Sequence, residues 1–268
     1  MRVSLLLLMT IYVFSAPKVL ADSLFPLWGD ELREQGIELP KPYGISIGYM
    51  SQKDVTSSGN LRSVKVDGSE QPLSTVDLGD SSSDTDITNL RFDVWLLPFL
   101  NVYAIGAKLE GSAVTEMIVD MPLRMPDQHF VIEEAYEGDV FGLGMTFVYG
   151  YKNYIASLDV NYTETDLDLV ASKIDTLLIT PRIGYASRVM DMPYSIMLGA
   201  SYMDLAQTLT IEQSLNGQVL TTLLDTDTAK QWNTVVTAQL ELDKHWQLVV
   251  DAGFNDRDTL TGTLTYRF

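Results

Sequence analysis

The chain has 268 residues, a formal charge of −18 and no cysteine. So acidic a balance argues against nucleic acid as a partner, and the missing thiols exclude a disulfide scaffold and a cysteine-ligated metal. Beyond residue 21 no run approaches eighteen consecutive apolar residues, so no transmembrane helix is expected there.

Residues 1–21 have the pattern of an export leader: Arg2 gives a positive start, Val3 to Phe14 an apolar core, and Val19-Leu20-Ala21 a small-residue cleavage site. Cleavage after Ala21 would make Asp22 the new amino terminus, and losing Arg2 and Lys18 would take the charge to −20. From 22 to 42 the pattern is not strand-like. Leu24, Phe25, Leu27, Trp28 and Leu32 lie among Glu31, Arg33 and Glu34, and Gly36, Pro40 and Pro42 end the segment. This predicts a short amphipathic element, with Trp28 suited to a membrane interface, serving as a periplasmic clamp or a plug.

From Tyr43 onward the apolar residues alternate with period two, the mark of a sheet with one greasy and one polar face. The first strand, 43–52, sets Tyr43, Ile45, Ile47 and Tyr49 against Ser46 and Gly48. A polar stretch, 53–86, precedes a second strand with Leu90, Phe92 and Val94 opposite Asn89, Arg91 and Asp93. After the short Leu97-Pro98-Phe99-Leu100 connection, a third strand at 101–111 is expected to turn Tyr103, Ile105, Ala107 and Leu109 outward and Ala104, Gly106, Lys108 and Glu110 inward. A long region, 112–138, leads to a fourth strand with Phe141, Leu143, Met145, Phe147 and Tyr149 on one face. The turn at Gly150-Tyr151-Lys152-Asn153 joins it to a fifth with Tyr154, Leu158, Val160 and Tyr162 opposite Ser157, Asp159 and Asn161.

The sixth strand, near 174–186, places Ile179, Ile183 and Tyr185 opposite Thr176, Thr180 and Arg182, and is weakened by Pro181. The seventh carries Tyr194, Ile196, Leu198 and Tyr202, and the eighth sets Trp232, Val236 and Leu240 against Asn233, Thr237, Gln239 and Glu241. Asp243-Lys244-His245 turns into the ninth, where Trp246, Leu248, Val250 and Phe254 oppose Gln247 and Asp251. The tenth is the carboxy terminus, with Leu260, Gly262, Leu264, Tyr266 and Phe268 on one parity and threonines with Arg267 on the other. Even-numbered connections are short and odd-numbered ones mostly long and polar. Segments 113–121 with 128–136, and 206–213 with 218–224 around Asn216-Gly217, offer further hairpins. Both are expected to rise above the membrane, with twelve strands as the alternative count.

The closing strand, about the length a tilted transmembrane strand needs and stopping on an aromatic, resembles that of bacterial outer-membrane β-barrel proteins. The resemblance implies a single closed antiparallel barrel over residues 43–268, exported through the periplasm to the outer membrane. It also implies lipid and lipopolysaccharide as surroundings, and an assembly machinery that reads Phe268.

The inward parity collects Arg91, Asp93, Lys108, Glu110, Asp159, Arg182, Glu241, Asp251 and Arg267. In so narrow a barrel such charges are expected to pair across the bore, either as a rigid polar plug or as a narrow path for a small solute. The acids Asp77, Asp80, Asp84, Asp86, Asp225 and Asp227 fall in predicted loops, where solvation explains them and divalent ions shared with lipopolysaccharide are the alternative. No phosphate loop, zinc cluster or calcium loop occurs, so no cofactor or metal is expected. A structural or surface-interaction barrel, or passive small-solute transport, is the expected function. The enzymatic alternative is a rim site acting on lipid or peptide, with His129 as its candidate and His245 reserved for an interfacial role.

Overall fold

The computed structural model describes residues 25–34, 39–57, 60–66, 69–71, 76–119, 128–168, 173–205, 207–215, 218–226, 231–255 and 257–268, and the leader and Asp22 lie outside them. Among the described residues one short helix, α1 (Gly29–Glu34), precedes fourteen strands. Ten of these close on themselves: β1 (Tyr43–Ser57), β4 (Val76–Leu97), β5 (Leu100–Val119), β6 (Gln128–Tyr151), β7 (Tyr154–Leu167), β8 (Ile174–Val189), β9 (Met192–Asp204), β12 (Trp232–Glu241), β13 (Trp246–Phe254) and β14 (Arg257–Arg267). Every pairing in the barrel is antiparallel. Closure leaves no edge strand, so the barrel as a whole has no open row of backbone donors and acceptors.

The seam lies between the first and last strands. Gly44 pairs with Arg267 and the register runs to Asp54 opposite Arg257. Tyr43 and Phe268 exchange backbone hydrogen bonds of 3.2 and 3.0 Å, and their rings stack at 5.8 Å. The carboxy-terminal aromatic thus takes part in closing the barrel.

Cross-strand partners share a face, so the register sorts the two surfaces. Ile47, Leu90, Phe141, Leu143, Ile183, Leu198 and Leu260 stand outside, between 57% and 70% exposed. On β6 the outward row runs without a break from Phe141 to Tyr151. Ten rises of about 3.3 Å at a tilt of about 35–45° give a height of roughly 23–27 Å, the thickness of a membrane-facing apolar band. A soluble monomer rarely exposes contiguous apolar patches larger than a few hundred Å², and here the apolar surface encircles the barrel. Aromatics gather at its ends: Tyr149, Tyr151, Tyr154, Tyr185, Trp246 and Phe268 near the termini, and Tyr49, Tyr162, Trp232 and Phe254 at the far side. Outward charges follow there, with Lys108 to Asp139 at 3.2 Å and Lys53 to Asp84 at 3.5 Å.

The third strand reverses the sequence reading. Tyr103 pairs with Gly144, Ile105 with Gly142 and Leu109 with Gly138, whereas Gly106 pairs with Phe141 and Lys108 with Asp139. Tyr103 and Leu109 therefore face the bore, each 7% exposed, and Lys108 and Glu110 face outward. The reason is volume. A Cβ built on Gly144 would lie 2.3 Å from the Tyr103 ring, so this inward glycine of β6 leaves the space that Tyr103 of β5 fills.

Both extra hairpins form above the ten-strand barrel. The first is the continuation of β5 and β6, pairing as far as Val119 opposite Gln128. The second, β10 (Gln207–Leu215) with β11 (Gln218–Thr226), joins β2 (Asn60–Val66) and β3 (Ser69–Gln71) in a separate four-stranded sheet. At Pro181 the β8 to β9 register lapses between Ile179–Tyr202 and Arg182–Gly199, then resumes unshifted. The ladder is interrupted where a proline has no N–H to give.

Candidate functional site in the barrel bore

Period-two alternation delivers the inward side chains of ten strands into one narrow space, and their charges meet there. Asp93 on β4 is 1% exposed. Its Oδ2 accepts from Asn101 Nδ2 at 2.7 Å and from an Arg267 guanidinium nitrogen at 3.0 Å, while Arg91 Nε stands 3.9 Å from its other oxygen. Arg91 also donates to Asn101 at 2.9 Å and lies over the Tyr103 ring, 3.7 Å from its centre. The Tyr103 hydroxyl donates to Asp159 at 2.9 Å, and Asp159 accepts further bonds from Thr146 at 2.6 Å and Asn161 at 3.1 Å. Arg267 donates to Gln247 at 3.3 Å, and its guanidinium sits 5.9 Å from the Trp95 ring. One continuous network thus runs from β13 and β14 across β4 and β5 to β6 and β7.

A second cluster joins the remaining wall. Arg182 on β8 reaches Asp251 on β13 at 3.4 Å, and Asp251 also accepts from Thr237 on β12. Across the seam, Ser46 on β1 and Thr265 on β14 bond hydroxyl to hydroxyl at 2.8 Å, 2% and 5% exposed. Low-dielectric surroundings strengthen each contact and make an unpaired charge costly, so the clusters hold the walls at fixed separation. Groups with 1–5% exposure on facing walls, Asp93, Asn101, Thr180, Asn233 and Thr237 among them, mean that side chains fill the bore at those levels.

Of the sequence-derived lumen set, Arg91, Asp93, Asp159, Arg182, Asp251 and Arg267 make these contacts. Glu241 sits at the end of β12 opposite Gln247. Lys108 and Glu110 take no part, being on the outer face. Asn101 and Tyr103, which link the charged groups, were missed, and so was Trp95, which lies beside Arg267 alone. The signal for Tyr103 was present in Gly144 on the neighbouring strand, whose missing side chain makes room for a large partner. Four buried polar atoms, Arg91 Nε, Arg182 Nε, Trp95 Nε1 and Ser195 Oγ, have no hydrogen-bond partner among the described residues.

The two histidines differ. His245 has Nδ1 at 2.7 Å from the Arg267 carbonyl oxygen and stacks on Tyr266 at 5.5 Å. Beside it Asp243 accepts from the backbone N–H groups of His245 at 2.7 Å and Trp246 at 2.8 Å, which holds its carboxyl below the ordinary value of 3.8. His129 pairs through its backbone with Ile118, and its side chain lies outside what is described. No cluster of metal-ligating side chains occurs among the described residues.

No family model and no curated protein matches the sequence. Among solved structures the chain is similar to the transport unit of the autotransporter AIDA-I from Escherichia coli, at 11% identity and a TM-score of 0.39, over 93% of this chain and 96% of that one. It is similar also to the outer membrane protein OprG from Pseudomonas aeruginosa, at 13% identity and 0.39, over 86% and 98%. A third likeness is to an outer membrane channel from Pseudomonas putida F1, at 11% identity and 0.38, over 86% and 97%. These likenesses are of fold alone.

Proposed function

We propose that the chain is an integral protein of the bacterial outer membrane whose bore is closed by its own side chains and whose role is structural and surface-interacting. The observation that carries this is Asp93, 1% exposed and held between Arg267, Asn101 and Arg91 across the bore, level with Gly44 near the end that holds the chain termini. A water-filled channel at that level would hydrate the carboxylate. The apolar outer band supports the membrane setting, with lipid and lipopolysaccharide around it. Phe268, paired to Tyr43 at the seam, is the feature an assembly machinery would read. The sheet of β2, β3, β10 and β11 comes from connections at the end away from the chain termini, and is the surface offered to partners outside the cell.

The test is planar-bilayer recording of the purified full-length barrel. A flat trace at all voltages is expected, and steady ohmic conductance would overturn the closed-bore reading. Passive transport of a small solute is the second reading, favoured by the side chains of Arg91, Arg182 and Asp251, still 26%, 19% and 24% exposed. On that reading a steady conductance exists and Arg182→Ala changes its ion selectivity.

A further inference from the structure

The residues before the barrel hold two apolar side chains that nothing among the described residues covers. Leu27 is 50% exposed and Trp28 66%. They are not on a loose end. Leu27 donates its backbone N–H to the Leu96 carbonyl at the end of β4, 2.9 Å away, and Phe25 sets its ring edge-on to Tyr43 at 6.2 Å and 87°. Tyr43 stacks in turn on Phe268, and Phe268 on Tyr266 at 6.2 Å. Tyr43 shares its outward parity with Ile45 and Ile47, so the segment is fastened to the lipid-facing side of the rim and not inside the bore. Trp28 is also held at φ 68°, a left-handed backbone that a bulky side chain adopts only under strain. In water the exposed indole would be unfavourable. Behind them α1 turns Asp30, Glu31, Arg33 and Glu34 to solvent, with Arg33 bonded to Asp30 at 2.9 Å.

We infer that Leu27 and Trp28 form an apolar foot seated in the headgroup and outer acyl region of the adjoining leaflet, extending the lipid band past the rim of the barrel. Its partner is a lipid surface. The argument is continuity: the row Tyr266, Phe268, Tyr43, Phe25 leads from the band to the foot without a polar break, and an amphipathic indole is suited to the interface. The charged turn that follows keeps α1 on the water side. The inference rests on the membrane reading above.

The absence of cysteine makes the test direct. Four single variants of the full chain, Leu27→Cys, Trp28→Cys, Glu31→Cys and Leu143→Cys, each carry a nitroxide label in vesicles of phosphatidylethanolamine and phosphatidylglycerol. Collision rates with oxygen, which partitions into lipid, and with a water-soluble nickel chelate are compared. The expected result is an oxygen-to-nickel ratio at 27 and 28 several-fold above that at 31 and approaching that at 143. A ratio at 27 or 28 equal to that at 31 overturns the foot while the membrane reading stands. A water-like ratio at 143 overturns both.

Discussion

Replacing Asp93 by asparagine keeps the shape of the side chain and removes its charge. Two guanidinium groups then share a nearly dry space without a counterion. With effective dielectric near 20, charges separated by 3.0 and 3.9 Å attract by about 4–6 kcal/mol each before desolvation is counted. Breaking a buried pair by removing one partner costs about 3–5 kcal/mol, because the remaining charge stays buried. Arg267 and Arg91 keep 13% and 26% of their side-chain exposure, which places the expected loss for Asp93→Asn near the lower end, about 3 kcal/mol. Adding Arg267→Gln removes the nearer of the two stranded charges, so the double variant should cost less than the two single changes together, by about 1–3 kcal/mol. Urea unfolding of the barrel in small vesicles, followed by tryptophan fluorescence and by gel mobility, measures all four corners of the cycle. A loss below about 1 kcal/mol for Asp93→Asn, the size expected of a solvent-exposed pair, would refute the closed-bore argument.

The inward glycines give a second test. A Cβ at Gly184 would lie 2.0 Å from the Ile196 backbone oxygen, so Gly184→Ala must move the β8 to β9 ladder and should cost about 1–3 kcal/mol. Gly262, on the outer face with Leu260 and Leu264, has nothing within 4 Å of a built Cβ, and as the control Gly262→Ala should stay within about 0.5 kcal/mol of the parent in the same urea assay. Equal effects at the two sites would show that the register is wrong. A third concerns acid. Asp243 is held below the ordinary 3.8 by the N–H groups of His245 and Trp246, so the folded state binds its proton less readily than the unfolded chain. The stability it gives is complete above pH 3.8 and is lost as pH falls through the lower folded value. The difference in unfolding midpoint between parent and Asp243→Asn should therefore be largest at neutral pH and shrink on acidification, and a widening gap would reverse the assignment.

Much of the barrel was legible because alternation is written directly into side-chain polarity. On β1, β4, β6 and β14 one parity is almost wholly apolar and the other polar, so period and direction can be read together. The hairpin expected at 113–121 with 128–136 likewise matches β5 and β6 outrunning the band, whereas the stretch 53–86, read as a polar loop, carries β1 on to Ser57 and β4 from Val76, so Asp77, Asp80, Asp84 and Asp86 stand on a strand. What the alternation cannot supply is direction on a strand whose two faces are similar. In β5 both parities are apolar in the lower half, Val102, Ala104 and Gly106 against Tyr103, Ile105 and Ala107, and the choice between them is made by the neighbouring strand. The turn at Met190-Asp191 was hidden for a different reason. Both residues take left-handed φ, 49° and 65°, as a two-residue hairpin of the primed type requires, yet neither is glycine or asparagine. The bore contacts were the least legible part, since Arg267 and Asp93 meet only because the last strand closes on the first.

The inversion of β5 has a consequence for the height of the whole band. If Lys108 faced the bore, its outward neighbours would be Leu109 and Ala107, and the apolar surface would climb higher on β5 than on β6, whose outward row ends at Phe141 before Asp139. With Lys108 outside, its ammonium meets Asp139 at 3.2 Å and the two strands leave the apolar band together. The neighbouring strands follow suit: β7 passes from Tyr162 to Glu164, which bonds Lys173 at the start of β8, and β4 from Leu90 through Thr88 to Asp86, which accepts from the Tyr49 hydroxyl at 2.8 Å. An outward charge costs least close to the interface and most at the bilayer midplane. The strand that sequence polarity alone oriented the wrong way is thus the one whose correct orientation makes the upper edge of the band continuous.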